Sequence, residues 1–276
     1  MITREDFIAI DEEIKQSLID TLTNSRNSSR TDYVVFLADG EYKQEYQNMV
    51  PALSPFVIDN RVDRYKDETR LKFLTSFMQT YYSFPQHQDN VSDDELRIHM
   101  ELMIYTHIWE SIPFLKKLYR LARIQNNESY EWNVDVPEMG KHNFIRNEIR
   151  QRFENQNNNL AEIIRRGFHT SLRNAFAHSE YSFETDNAPR TIFLDNYSGN
   201  NWELSSISFD DWNRRFVYSS LLSYHLLIYV HSARTSITND LGIDIFTIRR
   251  PLVGGQEQEV NIRYNPQNDG FSFVNN

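Results

Sequence analysis

The chain contains no cysteine. That excludes disulfides, thiolate metal sites and cysteine nucleophiles, and it matches a reducing compartment such as the cytoplasm. Glycine and proline are scarce, eight of each in 276 residues, and no glycine falls between Glu41 and Met139. β-Sandwiches and doubly wound α/β folds need glycine at their turns, so this run points to a mainly α protein. No stretch approaches the ~20 consecutive apolar residues of a membrane span. The opening Met1-Ile-Thr-Arg-Glu-Asp6 has no basic-then-apolar leader pattern. A cytoplasmic protein with no membrane partner is the expectation. Also missing are the Gly-rich phosphate loop, Gly-x-Gly-x-x-Gly, Gly-x-Ser-x-Gly and His-Glu-x-x-His. The eight histidines do not fall at metal-ligand spacing with carboxylates. His99 and His107, on one helix face, read as a core-flanking pair. No metal and no cofactor are expected.

What the chain has in excess is negative charge. The formal net charge is −10, which at first argues against nucleic acid. The average hides a local reversal. Residues 141–178 carry seven basic residues (Lys141, Arg146, Arg150, Arg152, Arg165, Arg166, Arg173) against three acidic ones, and every other segment is acidic. One basic stretch in an acidic chain is the footprint of a polyanion contacted at one place, or else a solvated helix face.

The pattern divides the chain into 1–90, mostly helical; 91–235, a helical domain; and 236–276, short strands. Thr3 with Asp6 caps a first helix with Phe7, Ile10, Ile14 and Leu18 at helical spacing. Asp32–Leu37 is a short apolar run that reads as a strand, and a second helix covers about 62–82. Ser92-Asp-Asp-Glu95 is a capping box, followed by an apolar stripe of Leu96, Met100, Met103, Ile104 and Ile108. Pro113 ends or kinks that helix, and Leu115, Leu118, Tyr119 and Ala122 continue on one face. Helices follow over about 143–155 and 160–178. Thr191–Leu194 and Trp202–Leu204 flank the hairpin signal Ser198-Gly-Asn-Asn201. Ser208-Phe-Asp-Asp211 caps a long helix to about His231. The tail reads as strands over Ile243–Ile248, Val260–Tyr264 and Phe271–Val274.

The helix over 160–178 carries the chemistry. At about 100° per residue, Ile164, Phe168 and Ala175 share one face, while Arg166, His169 and Arg173 share the other. Asn174 and His178, four apart, stack on one flank. An arginine can neutralise phosphate oxygens as charge builds, and an imidazole can move a proton to or from an oxygen. An adjacent asparagine can orient either. RNA brings its own nucleophile, the 2′-OH, so the set suits phosphodiester chemistry without a metal. The same residues also suit a plain helix C-terminus with a capping histidine and a salt-bridged arginine. No helix-turn-helix with a basic recognition helix is evident.

Leu172-Arg-Asn-Ala-Phe-Ala-His-Ser-Glu-Tyr181 closely resembles the signature of the HEPN superfamily, in which an Arg, commonly followed by a polar residue, precedes a His with four to six residues between them; Arg173 and His178 have four. Tyr105-Thr-His-Ile-Trp-Glu-Ser111, Tyr130-Glu-Trp132 and the hairpin and helix start after the motif resemble elements of abortive-infection-type members. The resemblance spans about 92–232, roughly half the chain. It implies an HEPN-like helical bundle with a β-hairpin inserted after the motif helix; the small mixed N-terminal and C-terminal β extensions, read from the pattern of the chain, lie outside it. It also implies a homodimer that brings two motifs into one cleft. The implied activity is metal-independent endoribonuclease action on RNA by 2′-OH attack, in phage defence or toxin–antitoxin growth arrest. The partners implied are RNA and a cognate antitoxin or defence-system protein. Carried over by position, Arg173 binds the phosphate, Asn174 supports it and His178 is the acid/base. Glu110 would hold Arg173, and Arg165, Arg166 and His169 would bind RNA. Members without nuclease activity bind nucleotides or partner proteins, which is the second expectation.

Overall fold

Thr3 starts the first element through chemistry local to the sequence. Its Oγ1 accepts the Asp6 N–H at 3.0 Å, and Glu5 and Asp6 lie at the positive end of the helix dipole. The helix that follows, α1 (Arg4–Ser28), buries Ile10, Ile14, Leu18 and Leu22. The computed structural model describes residues 2–49, 54–59, 61–85, 89–91, 94–186, 189–195 and 203–274. The turn expected at Ser198–Asn201, Trp202 and the first half of the Ser92 capping box lie outside them.

The run read as a strand at Asp32–Leu37 is instead helix α2 (Arg30–Leu37). Ser29 Oγ accepts the Asp32 N–H at 3.2 Å, and Tyr33 to Leu37 are all buried. A run buried on every side has no period to separate strand from helix, and the cap decides. The short β1 (Glu41–Tyr42), α3 (Gln44–Met49) and β2 (Phe56–Val57) follow, β1 and β2 pairing antiparallel. Next comes α4 (Arg61–Tyr81).

Asp94 caps α5 (Glu95–Glu110), its Oδ1 accepting the Leu96 N–H at 3.1 Å. Ser111 ends that helix and caps α6 (Ile112–Gln125), with Pro113 in the first turn, where its missing N–H costs nothing. The face of α5 that enters the core keeps part of the stripe expected: Ile104 and Ile108 are buried and Met100 packs against the core. Leu96 is 63% and Met103 65% exposed, whereas Arg97, Ile98, Glu101, Leu102, Tyr105 and Trp109 are buried. Arg97 Nη1 donates to Glu101, to Asn213 Oδ1 (3.0 Å) and to Tyr82 Oη (3.2 Å), and Trp212 Nε1 donates to Glu101 Oε2 at 2.9 Å. A charged pair held by this many partners can be buried, and it turns the helix.

α7 (Lys141–Asn143) runs into a π-helical segment, Phe144–Arg150, and then α8 (Gln151–Asn155). The single helix expected over Leu160–His178 is two: α9 (Leu160–Gly167) and α10 (Thr170–His178). β3 (Tyr181–Glu184), β4 (Thr191–Leu194) and β5 (Ser206–Ser208) form an antiparallel sheet in that order. β4 thus pairs with Ser206–Ser208. Ser208 Oγ accepts the Asp211 N–H at 3.1 Å and starts α11 (Phe209–Leu241), longer than the hydropathy pattern suggested. β6 (Ile245–Pro251), β7 (Glu257–Asn265) and β8 (Gly270–Phe273) make a second three-stranded meander. The protein is mainly α with small antiparallel sheets. Buried Trp212, Phe216, Leu222 and Leu226 of α11 lie at its centre, with α1, α4, α5 and α9 packed around that helix. One apolar core joins side chains from all three sequence segments, from Ile2 to Phe271. Among the described residues no helix is long and apolar enough to cross a membrane.

Candidate functional site

The break between α9 and α10 decides where the motif residues point. Gly167 is the last residue of α9, where a Cβ would meet Ser219 Oγ at 3.1 Å and Trp109 at 3.4 Å, so glycine lets the helix end pack closely on α11 and Trp109. Phe168 then turns extended and buries its ring against Trp109, with centroids 5.0 Å apart. The polar backbone exposed by the break finds partners elsewhere. The Tyr105 hydroxyl accepts the His169 N–H at 2.9 Å and donates to the His169 carbonyl at 3.4 Å. Arg215 Nη1 donates to the carbonyls of Arg165 and Phe168, both at 3.2 Å. His169 is the N-cap of α10, its Nδ1 accepting the Ser171 N–H at 3.2 Å. Arg166, His169 and Arg173 therefore do not form one stripe, because a continuous helix is what would have aligned them.

Helix α10 buries Leu172, Ala175 and Phe176, with Phe176 edge-on to Trp212 at 5.0 Å. That leaves Arg173, Asn174, Ala177 and His178 towards solvent. Arg173 is ion-paired with Glu110 at the end of α5, and its Nη1 donates to Asn174 Oδ1 at 2.9 Å. Glu110 Oε2 also accepts from Lys141 Nζ at 2.7 Å. The guanidinium is thus held by two acceptors, with its side chain 18% exposed. His178 ends the helix, exposed, one turn beyond Asn174. Among the described residues no hydrogen bond or ion pair engages its imidazole. Ser179 closes α10 in the left-handed region (φ 58°), its N–H reaching the Ala175 and Phe176 carbonyls.

The expected RNA-binding cations are occupied by carboxylates. Arg165 pairs with Glu154 and Glu162, both at 2.5 Å. Arg166 pairs with Glu162 (2.9 Å) and Glu13 (3.2 Å) and donates to the Tyr218 hydroxyl at 2.7 Å. All seven basic residues of 141–178 have an acidic partner. The local charge excess seen in the sequence is therefore drawn down by Glu13, Glu110, Glu128 and Glu203 from outside the segment.

Sequence reasoning missed a second half of this surface. Arg146, in the π-helical segment, donates twice to Glu203, at 2.6 and 3.1 Å. His169 Nε2 lies 3.8 Å from the same carboxylate. Burial, reinforced by Arg215, lowers the His169 pKa to about 4, so the ring is neutral at pH 7. With Nδ1 accepting from Ser171, its proton sits on Nε2, facing Glu203. Burial also lowers His142, with help from Arg146 and Arg173. Only the basic character of Lys141 and Arg146 was visible beforehand, since Glu203 approaches from 57 residues away. Among the described residues no group of three or more His, Asp or Glu is placed to hold a metal ion. Comparison of the chain with protein-family models, with characterised proteins and with solved structures finds no match.

Proposed function

We propose that the protein is a metal-independent endoribonuclease of HEPN type, acting in phage defence or growth arrest. The observation that carries this reading is an exposed, unengaged His178 imidazole beside a guanidinium already oriented by Glu110 and Asn174. In the proposed reaction the 2′-OH attacks the adjacent phosphorus and the 5′-oxygen leaves, giving a 2′,3′-cyclic phosphate. Arg173 neutralises the charge that builds on the non-bridging oxygens, and His178 moves the proton.

One α10 helix supplies one such set, and Arg173 and His178 diverge by about 140° around it. A second copy of the chain would complete the cleft. The exposed apolar stripe on α5, Leu96 and Met103 with His99 between them, supports a contact there. It lies on the helix that packs α10, and His99 Nδ1 is 3.2 Å from the Tyr181 hydroxyl just beyond the motif.

The protein incubated with single-stranded RNA in excess EDTA should yield 2′,3′-cyclic ends and leave the DNA version intact. His178→Ala should slow cleavage by about 10²–10⁴-fold, and Arg173→Ala should cost about 3 kcal/mol of transition-state stabilisation or more. The second reading, a non-catalytic HEPN module binding a nucleotide or protein partner, is favoured by the pairing of every cation in 141–178. RNA left uncut by folded wild-type protein would establish it over the first.

A further inference from the structure

The carboxylate of Glu203 sits where an anion would be bound. It takes both terminal nitrogens of Arg146 and faces the protonated Nε2 of His169. His142 stands one turn before Arg146 on the same helical stretch, and Arg146, Arg173 and Glu203 all act on its imidazole. Glu203 is itself 60% exposed, and among the described residues no other hydrogen bond or ion pair holds it. A forked guanidinium with a fixed donor beside it is the arrangement that recognises a tetrahedral oxyanion as well as a planar one.

The set connects to the motif without a gap. His169 caps α10, and its carbonyl accepts the Arg173 N–H at 3.1 Å. On the other side Lys141, next to His142, grips the glutamate that grips Arg173.

We propose that Arg146, His142 and His169 form a phosphate subsite for the RNA backbone next to the Arg173 site, filled in this structure by the chain's own Glu203. This rests on the ribonuclease reading for the identity of the ligand. A backbone phosphate entering the subsite displaces the Glu203 carboxylate from Arg146 and accepts from His169 Nε2–H. Neutral imidazoles suit that role, because they donate to a phosphate without depending on pH near neutrality. Glu203 then acts as an internal competitor that weakens RNA binding, and its removal should steepen the salt dependence because one more cation is free to neutralise a phosphate.

The test uses fluorescence anisotropy with a labelled, fully 2′-O-methylated single-stranded oligoribonucleotide, which cannot be cut, at low salt. Glu203→Gln should tighten binding about fivefold, the size of one exposed ion pair. Glu257→Gln changes the net charge equally on the exposed β7 strand and should have far less effect. Arg146→Ala should weaken binding and, combined with Glu203→Gln, abolish the gain. An unchanged or weaker affinity in Glu203→Gln overturns the proposal. So does a gain that survives the loss of Arg146, or one that Glu257→Gln reproduces. Cleavage of ordinary RNA by the wild type, read in parallel, separates the two ideas. Uncut RNA with a Glu203 effect that depends on Arg146 sinks the nuclease and keeps the subsite, and cut RNA with no Glu203 effect does the reverse.

Discussion

Helix α5 carries two glutamates that each hold an arginine, and their surroundings are opposite. Glu101 and Arg97 are fully buried, tied to Tyr82, Trp212 and Asn213. Glu110 and Arg173 are partly open, at 29% and 18% exposure, with Lys141 and Asn174 beside them. Burial raises the Glu101 pKa despite the arginine beside it. The same chemical pair is therefore a packing device in one place and an adjustable charge in the other. In the core the carboxylate is fixed by every neighbour, and its loss strands a cation. At the surface water can replace either partner, so the pair can be opened at little cost and used.

The comparison is most easily broken at its buried end. Arg97→Met leaves Glu101 without its counter-charge in a site that excludes water. The expected loss is about 3–5 kcal/mol of folding stability, read by urea unfolding. A loss below about 1 kcal/mol would mean that the buried pair behaves like a surface one and that the contrast is empty.

What the sequence made legible divides along the same line. Thr3, Ser111 and Ser208 mark helix starts through bonds spanning three residues, and Pro113 marks a first turn by lacking an N–H; such local signals are visible in a linear text. Partners far away in sequence are not. Arg97 and Glu101 look like solvent-facing residues, so the exposed Leu96 and Met103 were assigned to the core in their place. Gly167 was in view, but the break it permits depends on Tyr105 and Arg215 from two other helices. Arg173, Asn174 and His178 stood out as a chemically apt set at helical spacing, and the resemblance alone gave each its role. The basic run was visible as charge, whereas its neutralisation by Glu13, Glu110, Glu128 and Glu203 is a product of the fold.

His169 sits between the two extremes, because its ring is both a helix cap and a neighbour of the exposed Glu203. Its pKa falls from an ordinary 6.5 to about 4 in the folded chain. Between those values the unfolded chain binds a proton that the folded chain refuses, so stability is present above about pH 6.5 and is lost as pH falls toward 4. His169→Asn keeps a capping side chain and removes the titration. Unfolding at pH 7 and at pH 4.5 should show the variant gaining about 2 kcal/mol relative to wild type at the lower pH. An identical difference at both values would place the ring in open solvent, on the surface side of the comparison.

The exposed pair gives the smallest effect on stability and the sharpest test of its use. In Glu110→Gln the amide oxygen can still accept from Arg173 but no longer neutralises it or Lys141, so two cations are released together. Folding stability should change by no more than about 1 kcal/mol, since both cations can turn to water. Binding of RNA should move the other way and tighten, with the log–log salt slope steepening by up to about 0.7 for each additional phosphate neutralised on a single strand. If Glu110 positions Arg173 for catalysis, the catalytic rate should fall while affinity rises, a split that a purely structural glutamate would not produce. A drop in stability as large as that of Arg97→Met, with no change in salt slope, would place Glu110 with Glu101 as a packing residue and remove the physical basis for treating the α10 surface as a site.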